Sequence, residues 1–121
     1  MSNLNRALII GRVGQDPELR GSGTPVCNLS VATSERRKDR NGETREETEW
    51  HSVTVFGKQA ESCAEHLRKG SLVYIEGRLR TESYTGRDGT EKRKTVIIAN
   101  TVQFLGGKRE QREDEGVDYD Y

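Results

Sequence analysis

Residues 48–58 read Thr-Glu-Trp-His-Ser-Val-Thr-Val-Phe-Gly-Lys and contain the single tryptophan of the chain and one of its two phenylalanines. Apolar and polar residues alternate here with the period of two that is typical of a β-strand. Val53 and Val55 therefore share one face of the strand, and Trp50 and Phe56 share the other with small polar residues. This pattern predicts a strand that buries its valines and presents flat rings to a ligand outside the protein.

The composition is that of one small domain with much exposed chain. The sequence has 121 residues, of which 31% are hydrophobic and 33% charged. This charge content favours long exposed loops or a disordered segment over a larger core. Residues 1–107 hold 17 basic and 14 acidic residues, whereas residues 108–121 hold 3 and 6. We therefore predict a domain over 1–107, followed by a disordered acidic tail over 108–121.

No apolar run approaches the roughly 18 residues of a membrane span, and the N-terminus lacks the apolar segment of a signal peptide. The two cysteines, Cys27 and Cys63, fall within apolar patterns and form no paired framework. Reduced, packed thiols are the favoured interpretation. We expect a soluble, cytoplasmic protein that is not associated with a membrane.

Two strands are predicted before the opening stretch, over 4–13 and 26–34. The first contains three successive apolar residues at 8–10, so apolar side chains point to both of its faces. One face can pack in the core, which leaves the other to meet a second subunit. Residues 14–25 carry turn-forming residues and are predicted to be a loop. Residues 35–47 are nearly all charged around Asn41-Gly42, which predicts a long polar hairpin loop.

After residue 58 the apolar period changes from two to 3.6, which predicts a short helix. Arg68 and Lys69 would lie in its last turn, with Gly70 at the C-terminal cap. The apolar residues at i, i+3, i+4 and i+7 are Ala60, Cys63, Ala64 and Leu67.

Strand periodicity then resumes over 72–84 and, after a turn at 86–89, over 92–105. The last of these strands is built around Val96, Ile97, Ile98 and Val102. The pattern over 72–84 assigns Val73, Ile75 and Leu79 to the core side, and Tyr74, Arg78, Arg80 and Tyr84 to the opposite side.

The predicted order is β-β-β-α-β-β, an all-β chain with one helix and the layout of the OB-fold, a five-stranded Greek-key barrel. Fold alone does not decide function, but rings that alternate with cations on one surface do favour a ligand. Aromatic side chains stack on exposed bases and cations follow phosphates. Because duplex DNA hides its base faces, this surface favours single-stranded DNA, bound with little sequence preference and strong salt dependence.

Six motifs in order give the chain a specific resemblance to the bacterial single-stranded-DNA-binding protein family over about residues 3–107. The motifs are Gly11-x-x-Gly14-Gln15-Asp16-Pro17-Glu18, Ala32-Thr33-Ser34, Thr48-Glu49-Trp50-His51, Phe56-Gly57-Lys58, Leu67-Arg68-Lys69-Gly70 and Tyr74-Ile75-Glu76-Gly77-x-Leu79-Arg80-Thr81.

The resemblance implies a homotetramer that wraps and protects single-stranded DNA during replication, repair and recombination. It implies base stacking by Trp50, Phe56 and Tyr84. It also implies cations near the DNA at Lys58, Arg68, Lys69, Arg80 and Arg6. The alternation adds Arg78 as a further cation and Tyr74 as a weaker aromatic candidate. The subunit interface is expected to involve His51, Leu8 and Ile10.

The chain departs from the family pattern at two places. Arg37 stands in the long loop where many members carry a stacking tryptophan, so one stacking ring is either missing or replaced by guanidinium stacking. The tail lacks the family's Gly-, Gln- and Pro-rich linker and ends Asp118-Tyr119-Asp120-Tyr121. Its acidic and aromatic residues are candidates for binding replication and repair proteins.

Other interpretations are weaker. Trp50 and Phe56 taken alone could equally be core residues, and Tyr74 could cover a subunit interface. Cys63 and His66 lie three apart on the helix, yet nothing supplies the paired spacings of a structural zinc site, so no metal or cofactor is expected. An enzyme is disfavoured because no nucleophile and base, metal cluster or carboxylate pair is found. An OB-fold adaptor that bridges replication proteins and binds nucleic acid weakly is the main alternative.

Overall fold

The computed structural model describes residues 2–106 of the chain. The predicted acidic tail, with its terminal Asp118, Tyr119, Asp120 and Tyr121, lies outside these residues. The elements are β1 (Ala7–Val13), β2 (Leu19–Arg20), β3 (Val26–Lys38), β4 (Thr44–Phe56), α1 (Lys58–His66), β5 (Leu72–Thr85) and β6 (Glu91–Gly106).

Five long strands close into a barrel in the order β1-β5-β6-β4-β3, and β1 pairs again with β3. The pairs are antiparallel except for β4 and β6, which run parallel. Along the chain, the helix lies between β4 and β5, the third and fourth of the five long strands, so the predicted OB-fold order is confirmed. The two-residue β2, which pairs with β3 inside the predicted loop 14–25, was not predicted.

The barrel interior is filled mainly by aliphatic side chains from alternate strand positions. Val53 and Val55 are 1% and 0% exposed, which confirms that the valines of the opening stretch are core residues. Helix α1 contributes Ala60 and Cys63 to the same cluster. Cys27 and Cys63 are free thiols, as predicted, and burial with the nearby Cys27 raises the pKa of Cys63 to about 12.

The prediction of a loop over 35–47 was wrong, because β3 continues to Lys38 and β4 begins at Thr44. Only a tight turn joins them, with Asn41-Gly42 at its centre as expected. The backbone N–H of Asp39 donates to the Glu43 carbonyl at 2.9 Å, and Gly42 takes a φ of 79°. Both faces of this hairpin are exposed, so its strands carry no apolar alternation that would reveal them.

The β5–β6 hairpin ends in the same kind of turn. The N–H of Gly86 donates to the Thr90 carbonyl at 2.8 Å, and Gly89 takes a φ of 80°. Because β4 and β6 are parallel and pair at Ser52 and Val96, the two hairpins extend from the same end of the barrel. We call residues 34–48 the first arm and residues 80–95 the second arm.

Several boundaries differ from the predictions. Strand β1 begins at Ala7 and not Leu4, and Lys58 is the first residue of α1 and not the end of a strand. The helix ends at His66, so the prediction that Gly70 caps it was wrong. Gly70, with a φ of 92°, instead occupies the third position of a turn in which the Ser71 N–H donates to the Arg68 carbonyl at 2.9 Å.

Leu79 was also assigned wrongly to the core, since its side chain is 49% exposed. It follows the last buried residue of β5, Gly77, where the β5–β6 hairpin leaves the barrel. The Asn5 side-chain amide holds this position by donating to the Leu79 carbonyl and accepting from its N–H, both at 2.9 Å. Alternation predicted the correct face of Leu79 but not the end of the core.

Candidate nucleic-acid interface

The side of β3, β4, β5 and β6 that points away from the core, here called the outer sheet face, carries the exposed rings. Trp50 is 59%, Phe56 44% and Tyr84 47% exposed, whereas Val53 and Val55 on the inner side are buried. Large apolar side chains are rarely left exposed together without a ligand or partner. The structure therefore brings the three predicted stacking residues to one side of the molecule.

Strand pairing arranges the residues between these rings in rows. One row runs through Ser30, Ser52, Val96 and Arg80, and the next through Asn28, Thr54, Ile98 and Arg78. Val96 and Ile98 are 2% and 6% exposed although they point away from the barrel core, and they give the surface an apolar floor. The predicted cations Arg78 and Arg80 are exposed at its β5 side.

Trp50 and Phe56 lie six residues apart on β4, which places them about 20 Å from each other at a strand rise of about 3.3 Å per residue. Lys58 is exposed two residues beyond Phe56, after the chain turns at Gly57 with a φ of 73°. A cation thus follows the second ring, although it belongs to the helix.

Tyr84 lies on the second arm and brings cations that the sequence analysis missed. Lys92 pairs directly with Tyr84, and Lys94 pairs with Glu82, so both lysines share the side of the arm that carries the ring. Counting residues outward from the Asp88-Gly89 turn would have predicted this pairing. Within residues 2–106, neither lysine forms an ion pair.

Arg68 and Lys69 line an open groove with Gly14, Gln15 and Asp16, and the benzo edge of the Trp50 indole packs against Gly14. The Asp16 carboxylate accepts the backbone N–H of Lys69 at 2.8 Å, which joins the two walls. The groove therefore leads from the Trp50 ring to the two predicted cations.

The Arg68 guanidinium is held at the end of the helix. It donates to the Leu67 carbonyl at 2.6 Å and to the Ala64 carbonyl at 3.2 Å. A positive group is favoured at the C-terminal end of a helix, where carbonyl groups lack intrahelical partners. This anchors the side chain beside the groove.

Arg37 is not brought to the outer sheet face. It has the strand parity of the buried β3 residues, and its guanidinium forms an ion pair with Glu47 at 3.5 Å. Its neighbours Arg36 and Lys38 have the parity of the outer sheet face, and Arg36 pairs across the arm with Glu46. In the first arm, Arg37 and Arg45 thus form ion pairs with acids, and Arg36 lies opposite one.

Three further candidates lie on the β1–β5 pair, and a fourth, Arg6, directly precedes β1. Ile10 pairs with Tyr74, and Leu8 with Glu76, and Leu8 and Ile10 are 56% and 41% exposed. The Tyr74 hydroxyl donates to Glu76 at 3.1 Å, and this hydrogen bond is the main reason that the pKa of Tyr74 is raised. The charge of nearby Arg6 offsets part of this rise. Tyr74 and Arg6 therefore accompany the two interface candidates and are separate from the Trp50 and Phe56 rings.

His51 lies on the inner parity of β4 and is half-buried. Its Nε2 is 2.8 Å from the Thr33 hydroxyl on the neighbouring strand. The imidazole is thus positioned by a contact within the chain.

Neither a metal cluster nor a membrane helix is found in the part of the chain that the structure describes. No group of three or more His, Cys, Asp or Glu side chains over residues 2–106 has the arrangement of a metal site. His66 was considered above as a metal ligand, and the centroid of its ring lies 6.1 Å from that of the Phe104 ring. No helix of the described residues is long and apolar enough to cross a membrane.

Comparisons with known proteins agree on one family. The model of the single-strand binding protein family matches residues 4–105. Single-stranded DNA-binding proteins of Neisseria meningitidis serogroup A and Xanthomonas axonopodis pv. citri are 49% and 48% identical over 110 and 109 residues, covering 89% and 88% of this chain. This chain spans only 63% and 61% of the length of those two relatives.

A solved structure has the same fold. The Plasmodium falciparum SSB complex with ssDNA superimposes with a TM-score of 0.78 at 33% sequence identity. The similarity covers 87% of this chain and 97% of that one.

Proposed function

The chain belongs to the single-strand binding protein family, and we propose that it binds single-stranded DNA without sequence preference. Its role would be to cover and protect exposed strands during replication, repair and recombination. It would act by binding and not by catalysis, with no metal or cofactor. Because its ligand is DNA, we place the protein in the cytoplasm with the nucleoid.

The observation that carries this proposal is the arrangement of three exposed rings and several cations on the outer sheet face. Each ring can stack on an unpaired base, which contributes about 1–3 kcal/mol per base and tolerates any sequence. We assign this role to Trp50, Phe56 and Tyr84. Several successive nucleotides would cover the distance between the first two rings.

The cations are proposed to follow the phosphates between and beyond the rings. Arg78 and Arg80 flank the apolar floor, and Lys58 follows Phe56. Arg68 and Lys69 offer a continuation through the groove beside Trp50. Arg37 and Arg6 complete the set of proposed DNA contacts with smaller shares, since Arg37 is paired with Glu47 and Arg6 lies near Tyr74.

We further propose that the chain forms a homotetramer through the outer side of β1. Leu8 and Ile10 leave an apolar surface exposed on this strand, next to Tyr74 on β5. Burying such a surface against a second copy would remove it from water. Tyr74 would then lie close to the interface, and His51 would support it from the barrel side.

The domain is proposed to comprise residues 1–107, and residues 108–121 to act as a partner-binding arm. Six acids against three basic residues give this segment a net charge opposite to that of the domain, and two tyrosines lie at its end. Asp118, Tyr119, Asp120 and Tyr121 are the proposed contacts for replication or repair proteins.

Titration with oligo-dT while recording the fluorescence of Trp50 tests the DNA-binding proposal. As the single tryptophan of the chain, it reports stacking directly. We expect strong quenching that weakens as salt rises, and little quenching by a duplex of equal length. Absence of binding at low salt would refute the proposal and favour the adaptor alternative.

A further inference from the structure

Gly14 lies directly against the Trp50 ring. A Cβ atom added to Gly14 would overlap Cζ3 of the indole and come within 3.0 Å of Cη2. Gly14 does not take the positive φ that favours glycine, so its backbone would accept alanine. The ring, and not the backbone conformation, is what a side chain at this position would meet.

Two other glycines show what a structural role looks like in this barrel. A Cβ at Gly11 would overlap the Ala32 carbonyl oxygen, and one at Gly77 would overlap the Ile98 carbonyl oxygen. Backbone atoms of paired strands cannot move aside without opening the barrel. At Gly14 the nearest backbone atom, the Ser30 oxygen, would be 3.4 Å away, so only an exposed side chain is in the way.

Gly14 itself is firmly held. Its N–H donates to the Ser30 carbonyl at 2.7 Å, and the preceding Val13 exchanges hydrogen bonds with Gly70 and Ser71 at 2.7 and 2.9 Å. Two residues later, Asp16 accepts the Lys69 N–H. A fixed backbone under the edge of a ring limits where that ring can lie.

We propose that Gly14 is a positioning residue that seats the Trp50 indole low against the outer sheet face, with the exposed part of the ring left for a base. The inference rests on the proposed function, because the position of the indole matters only if Trp50 stacks on a base. A ring held in its binding position loses less conformational freedom when a base arrives. A methyl group at position 14 would lift the ring and weaken stacking.

The test compares Gly14→Ala with Gly23→Ala. Gly23 is a matched control, because a Cβ there would meet nothing within 4 Å and its φ is not positive. In the free protein, we expect acrylamide to quench Trp50 more strongly in Gly14→Ala, and Gly23→Ala to match the wild type. With oligo-dT, we expect Gly14→Ala to bind about 3- to 10-fold more weakly, part of the loss expected from removing a stacking ring.

The same change in a Trp50→Ala background shows whether Gly14 acts through the ring. Because this background has no tryptophan, its affinity is measured by the fluorescence anisotropy of labelled oligo-dT. Gly14→Ala should then cause no further loss of affinity, because contacts between neighbouring residues are not additive. An equal loss in both backgrounds, or no loss in either, would overturn the inference. If Gly14→Ala alone unfolds the protein, the variant that combines Gly14→Ala with Trp50→Ala decides. A folded double variant supports the positioning role of Gly14, and an unfolded one refutes it.

The outcome can be separated from that of the proposed function. A wild-type protein that fails to bind oligo-dT refutes DNA binding, whatever Gly14 does. If the wild-type protein binds and Gly14→Ala is indistinguishable from Gly23→Ala, the positioning role of Gly14 is refuted and the proposed DNA binding stands.

Discussion

The two arms share one backbone design and differ in charge. Both are antiparallel hairpins that extend from the same end of the barrel and end in a five-residue turn with a positive-φ glycine. The first arm carries five basic and five acidic residues, and the second carries five basic and three acidic residues. The cations of the first arm are paired more often, through Asp39 with Arg45 and Glu47 with Arg37.

This difference shows that the number of cations does not by itself identify a nucleic-acid surface. A cation opposed by an acid has less to gain from a phosphate, since it already has a partner. The second arm also presents Tyr84 beside Lys92, whereas the first arm has no aromatic residue over 34–48. We therefore expect the second arm to contribute more to DNA binding than the first.

The largest effect is expected from neutralising the second arm. Replacing Arg80, Lys92 and Lys94 with glutamine should weaken oligo-dT binding on the order of 100-fold at low salt. The slope of log K against log salt should become shallower by about 2, since each phosphate contact contributes about 0.7 for a single strand. The measurement is a salt series of fluorescence titrations.

The matched control neutralises three cations of the first arm, Arg36, Arg37 and Arg40. All six side chains are exposed, so both triple variants should remain folded. A smaller loss of affinity and of salt slope is expected for the first arm. Equal losses, or the reverse order, would contradict the comparison between the arms.

A smaller effect is expected from removing the ring of the second arm. Tyr84→Ala should weaken oligo-dT binding about 5- to 30-fold, which corresponds to about 1–2 kcal/mol, the lower part of the range for one stacked base. Tyr84→Phe keeps the ring and should bind almost as the wild type does. Thr48→Ala, on the outer side of the first arm, should have no effect, and a loss similar to that of Tyr84→Ala would break the comparison.

The smallest effect concerns acid and salt at the two turns. A hydrogen bond from Arg45 and then the backbone N–H of Glu43 lower the pKa of Asp39, whereas the backbone and side chain of Thr90 lower that of Asp88. Each carboxylate therefore stabilises its turn above the ordinary pKa of 3.8, and this contribution is lost as pH falls through the lowered value.

Salt should separate the two turns. High salt screens the charge of Arg45 but not the neutral donors at Thr90, so the pKa of Asp39 should rise more than that of Asp88. Carboxyl NMR titrations in low and high salt measure both values. An equal response of the two carboxylates would show that the Arg45 ion pair is not what distinguishes the first turn.

Much of the candidate site was predictable from local patterns. Alternation about Val53 and Val55 predicted that Trp50 and Phe56 point away from the core, and the structure confirms this exposure. It also predicted the outward side of Arg78 and Arg80. These predictions succeeded because a strand with one buried side has a strong period-two signal.

The predictions failed where that signal is absent. Both sides of the first arm face water, so nothing in its hydrophobicity distinguished a strand from a loop. The predictions that Leu79 is a core residue and that Gly70 caps the helix failed for another reason. Where a barrel core ends, and which type of turn a segment forms, depend on the strands and loops that meet there.

The sequence by itself determined the order of the strands and helix, the faces of the aromatic residues and the family, because these follow from local periodicity and motifs. Only the tertiary structure decided which residues meet. It joined Asp16 to the Lys69 N–H and put Gly14 against the Trp50 ring. Such contacts depend on strand register and barrel closure, which link positions far apart in the chain.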